Sequence, residues 1–139
     1  MELEIFTLAD HASDHGRGKM TIDGTFDTIF SPRLPYVHPH CSIAARMRIA
    51  NSEAGKHDFE IRALAPDGKL MHSVKGNGDF KVNPNNEYST HNFVMNVNNL
   101  KLEKAGKYAF EYYFDGEFRS GLKLNVVKTL PPGMPTTSY

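Results

Sequence analysis

Lys107-Tyr108-Ala109-Phe110-Glu111-Tyr112-Tyr113-Phe114-Asp115-Gly116-Glu117-Phe118 is the stretch whose reading decides the fold class. Tyr108, Phe110, Tyr112 and Phe114 recur at every second position, and beyond Asp115-Gly116 the residues Phe118, Leu122, Leu124 and Val126 alternate with polar ones. A period of two places alternate side chains on one face of a strand. Asp-Gly tolerates the positive φ of a tight hairpin turn, so residues 107–127 read as a β-hairpin.

Working outward, the same alternation recurs. A first strand is expected over about residues 2–9, with Leu3, Ile5 and Thr7 in phase, and a second carries Met20, Ile22, Gly24 and Phe26. Between them, residues 10–18 read as a polar loop. Ser31 to Pro39 holds three prolines and is expected to be irregular, because proline cannot donate to a ladder. Ile43, Ala45, Met47 and Ile49 face one way on residues 41–50, with Arg46 and Arg48 opposite. Phe59, Ile61 and Ala63 define the next strand, and Ala65-Pro66-Asp67-Gly68 a turn. Residues 70–74 and 79–82 read as weaker strands separated by a turn or bulge at Gly76-Asn77-Gly78. Phe93, Met95 and Val97 mark another strand, and residues 98–104 hold one helical turn at most.

Strands this short and this regularly spaced point to an all-β sandwich or barrel. We expect an immunoglobulin-like Greek-key β-sandwich of about 7–9 antiparallel strands over residues 1–128, followed by a Pro-rich extended or disordered tail over 129–139. Ile43, Met47, Phe59, Ile61, Phe93, Met95, Val97, Phe110, Leu122 and Leu124 are expected to share one core. Leu102, Gly106 and Tyr108 have the arrangement of a tyrosine corner, in which the phenol bonds backbone a few residues upstream.

The chain also resembles a group of small bacterial proteins known only as a domain of unknown function. The resembling pieces are Leu3 to Asp10, Gly18 to Asp27, Pro39 to Arg48 and the Asp115-Gly116 hairpin, covering roughly residues 1–128. The resemblance implies an immunoglobulin-like sandwich with no assigned activity and no catalytic residues to carry over.

Composition bounds the function. Sixteen basic and sixteen acidic residues give a formal net charge of zero, without the basic excess that a nucleic-acid binder uses against phosphates. Cys41 is the only cysteine, which excludes an intrachain disulfide and fits a reducing cytoplasm. No stretch approaches a membrane span or a signal peptide.

Few residues suggest chemistry. Asp10, His11, Asp14 and His15 repeat at a spacing of four, which suits metal ligation only on a helical turn. His38 and His40 point the same way in an extended chain, but a third ligand would have to come from elsewhere, such as His57, His72 or His91. Cys41 falls in phase with Ile43, on the apolar face, and reads as buried rather than nucleophilic. Arg46 and Arg48, with Arg62 nearby, are expected to form a cationic face that either grips an anion or pairs with Asp58 and Glu60. No catalytic constellation and no cofactor is called for. The leading expectation is a non-enzymatic cytoplasmic binding or assembly module with a protein partner or a homo-oligomer. The alternatives are a small metal-dependent enzyme or metal-binding protein using the loop His and Asp residues, and a self-associating structural subunit.

Overall fold

The computed structural model describes residues 1–129, so all but the first residue of the expected Pro-rich tail lies outside the described residues. Its strands are β1 (Glu2–Gly16), β2 (Lys19–Thr25), β3 (Thr28–Ser31), β4 (Tyr36–Ala50), β5 (Gly55–Leu64), β6 (Leu70–Phe80), β7 (Tyr88–Leu102), β8 (Gly106–Phe114) and β9 (Glu117–Lys128). The only helical element among the described residues is a single 3-10 turn, Asn51–Glu53. The strands form two sheets, ordered β2-β1-β4-β7 and β3-β9-β8-β5-β6. Every pairing is antiparallel except β3 with β9, a parallel pair that the sequence reading did not anticipate.

The sheets face each other across one core. Ile43 and Met47 from β4 meet Ile61, Phe110, Tyr112 and Leu124 from the other sheet. The Phe6 ring meets the Tyr112 ring edge-on at 5.7 Å, and the Tyr112 hydroxyl donates to Met47 Sδ at 2.6 Å. Of the expected core, Ile43, Met47, Ile61, Phe110 and Leu124 are buried, whereas Phe59, Phe93, Met95, Val97 and Leu122 are only partly buried against it.

The β8–β9 hairpin forms as expected, with Asp115 and Gly116 at φ +49° and +79°. Phe118, however, is 54 % exposed. A register shift between Tyr112 and Tyr113 pairs Phe118 with Tyr113, and the extra residue turns the Phe118 ring to the outer face. A similar shift between Leu3 and Ile5 changes the phase of β1, so Leu3, Phe6 and Leu8 meet the core in place of Leu3, Ile5 and Thr7.

Three connecting segments also depart from expectation. Residues 10–16 are not a loop: β1 leaves β4 after Ala9 and continues as a hairpin with β2. This arm lies against the outer face of its own sheet, where Arg46 Nη1 donates to the Gly18 carbonyl at 2.7 Å. Only small side chains let it approach, and Ala9, Ala12, Ser42 and Ala44 are all buried there. Pro39 is tolerated inside β4 because it falls beyond the last β1 partner, and the register with β7 passes over it. Gly76-Asn77-Gly78 does not break β6; a Cβ at Gly76 would stand 2.5 Å from the Phe59 ring, so the glycine makes room for that ring.

The tyrosine corner is present. Tyr108 is 4 % exposed, and its hydroxyl donates to the Lys104 carbonyl at 2.7 Å. Gly106 crosses between the sheets at φ +143°, and a Cβ there would stand 2.8 Å from Pro66.

Candidate functional site

The residues singled out for metal chemistry fall into two places. Asp14 and His15 lie near the tip of the arm. Asp14 Oδ1 accepts from the Gly16 amide at 2.9 Å, and His15 Nε2 lies 2.6 Å from Thr21 Oγ1. His11 and His40 come side by side on β1 and β4, with ring centroids 6.5 Å apart. His40 Nδ1 donates to Asn98 Oδ1 at 2.8 Å. His38 packs between Phe26 and Tyr36, and burial lowers its pKa against the opposing pull of Asp10. Among the described residues no three of the His, Cys, Asp or Glu side chains converge to hold a metal ion.

Cys41 is 1 % exposed, and burial pushes its thiol up to about 11, the setting of an inert core residue. The arginines do not form one face. Arg46 and Arg48 pair with Glu4 and Glu2 on the first sheet, while Arg62 on the second bonds Glu60 and lies 4.0 Å over the Tyr113 ring.

The strongest polar cluster joins residues that no sequence pattern links. His57 Nδ1 lies 2.6 Å from Asp115 Oδ2, and its Nε2 lies 2.5 Å from the Glu53 carbonyl. Two acceptors favour the form of the ring with two N–H donors, and the Glu53 carbonyl and Asp115 raise its pKa. The Asp58 amide donates to Asp115 Oδ1, and together with His57 it holds the Asp115 carboxyl below the usual range. The Phe114 ring stacks on His57 at 4.8 Å. With both nitrogens engaged, His57 has no free position from which to activate a nucleophile. It acts as a clamp that ties the β8–β9 turn to β5 and the 3-10 turn.

The most apolar concave feature is elsewhere. Between the two sheets, on the side where β6 and β7 end them, runs a groove of about 440 Å³. Ile61, Ala63, Val74, Met95, Val97 and Phe110 are its apolar lining, with His72 and Lys101 among its polar residues. It exists because Met95 and Val97 face the core from a strand that, among the described residues, no further strand flanks.

β7 is unusual among the four edge strands. Tyr88 to Leu100 contains no Asp, Glu, Lys, Arg or Pro. His91, the one titratable side chain in the run besides Tyr88, is held toward neutrality by burial. Its register with β4 runs the length of the strand, and among the described residues nothing pairs with its other side. The other edges carry the devices that discourage pairing. β2 has Lys19, Asp23 and a left-handed Gly24 at φ +71°. β3 is four residues long and is followed by Pro32. β6 has Lys75, Asp79 and two glycines. The uncharged run was visible in the sequence; that it ends a sheet was not.

No helix among the described residues is long and apolar enough to cross a membrane. In comparisons with known proteins, a model described as a family of unknown function, DUF6941, matches residues 4–127, and the chain belongs to that family. No curated protein matches it.

Proposed function

We propose that this member of a family without an assigned activity is a non-enzymatic assembly module, and that its binding site is the open side of the two-layer fold between β6 and β7. The observation that carries the reading is the unguarded edge of β7 above half-buried Phe93, Met95 and Val97. Such an edge offers main-chain donors and acceptors to an added strand, and the groove offers its alternate side chains an apolar seat. The ligand class is therefore an extended protein segment with apolar residues at every second position.

The scaffold is best read as an immunoglobulin-like Greek key. The division of consecutive strands between two sheets, the parallel β3–β9 pair and the Tyr108 corner support that reading. A reducing cytoplasm is the compartment that suits its single, buried thiol.

Panning a displayed peptide library on the immobilised chain tests the site. The reading expects enrichment of extended sequences with alternating apolar residues. Val97→Arg, which places a charge in the groove, should abolish their binding while leaving the circular dichroism spectrum unchanged. Failure to enrich such sequences, or equal binding by the variant, would overturn it.

A further inference from the structure

The edge that accepts a strand is also a strand that can be offered. Resting on the strand-docking reading above, we infer that the natural occupant of the β7 edge is β7 of a second copy of this chain, paired antiparallel about a two-fold axis perpendicular to the sheet.

Three observations select a second copy. First, an antiparallel copy sets Tyr88–Leu100 against itself, and a run without Asp, Glu, Lys or Arg brings no like charges face to face. The formal net charge of zero adds no long-range repulsion between copies.

Second, the two-fold operation preserves sidedness. Phe93, Met95 and Val97 of each copy remain on the core side of the joined sheet, where the two half-buried sets cover one another. Asn92, Asn96 and Asn98 remain together on the outer side, where amides donate and accept equally. Asn96 already accepts from Ser42 Oγ at 2.9 Å and Asn98 from His40, so these side chains are set before any partner arrives.

Third, the other edges cannot supply the strand. β3 is too short, and β2 and β6 bring charges and glycines opposite an apolar run. Joining the β7 edges would make one continuous sheet of eight strands from two four-stranded sheets. The two grooves would then lie on either side of the axis.

Sedimentation of the full chain over a concentration series, with hydrogen exchange read in parallel, tests the inference. A dimer is expected, with exchange in residues 88–102 slowing as concentration rises and exchange in β6 unchanged. Asn98→Lys should weaken the dimer by at least about tenfold, because each copy gains a charge on the pairing edge. Asn77→Lys, on the already charged β6 edge, should not. A chain that stays monomeric to ~100 µM overturns the inference, on the affinity scale expected of a specific assembly. A dimer indifferent to Asn98→Lys, or one that protects another edge, overturns it as well. If peptides still select onto β7 while the chain stays monomeric, the second copy is wrong and the strand-docking site is not; if both tests fail, the site itself is wrong.

Discussion

Two buried tyrosines show how a hydroxyl's worth depends on its acceptor. Tyr108 donates to a backbone carbonyl at a sheet crossing, whereas Tyr112 donates to a thioether, a weak acceptor. Tyr108→Phe should therefore lower stability by roughly 1 kcal/mol in urea titration, the scale of a lost buried hydrogen bond. Tyr112→Phe should cost clearly less. His57 supplies a pH dependence. Its pKa is raised in the fold, so its contribution is fully present below the unfolded value of about 6.5 and is lost as pH rises through the higher folded value. The lowered Asp115 carboxyl acts in the opposite range, contributing above its unfolded value of about 3.9 and failing as pH falls through the folded one. His38 and His91, lowered by burial, lose stability on acidification below about 6.5 and so oppose His57. The difference between wild type and His57→Gln isolates the clamp. Wild type should lose its advantage over the variant as pH rises from about 6 to 8, the window around the histidine value, and a constant difference would remove His57 from the account. The sequence offered Tyr108 through its spacing from Gly106 and Leu102. It offered no route to His57 and Asp115, which lie 58 residues apart and meet only because β5 pairs with β8.

Among the elements, legibility followed pairing. The clean period-two runs of β5, β8 and residues 41–50 of β4 stand where their patterns place them, whereas β4 also takes in residues 36–40, where the prolines had pointed to irregular chain. Errors cluster where an extra residue resets the phase, as at Leu3 and Phe118, or where polar sequence is strand because a partner strand completes it, as in the arm. β3 is too short to show a period and is a strand only because β9 runs beside it. The arm's hold on the sheet is narrow. Arg46→Met removes the bond to the Gly18 carbonyl, and hydrogen exchange over residues 17–22 should speed up while the global denaturation midpoint moves little. On β6, Gly76→Ala forces a methyl group into the Phe59 ring and should cost about 1–3 kcal/mol. At Gly78 the nearest ring atom would be 3.4 Å away, so Gly78→Ala should cost less, and equal losses in urea titration would refute the Phe59 argument.

For the whole molecule, class was readable and the site was not. Alternation declares two-sided strands, and enough of them declare a two-layer β fold. The groove depends on something local pattern does not carry: which strand comes last in each sheet. Met95 and Val97 have the same alternation as Ile43 and Met47, yet the first pair is half-buried at an edge and the second lies in the centre. The same dependence on neighbours gives the parallel β3–β9 pair a mechanical meaning. From β3 the chain runs back from Thr28 to Phe26, and from β9 it runs on past Lys128, so tension applied between Phe26 and Thr129 draws the two strands in opposite directions along their length. Their backbone bonds, together with those from Asn125 to Asp27 and from Thr129 to Ser31 at its ends, are then loaded side by side and must break together rather than one after another. A domain stretched in this way slides before it peels, and the four-residue strand that was hardest to see in the sequence is the one that takes the load.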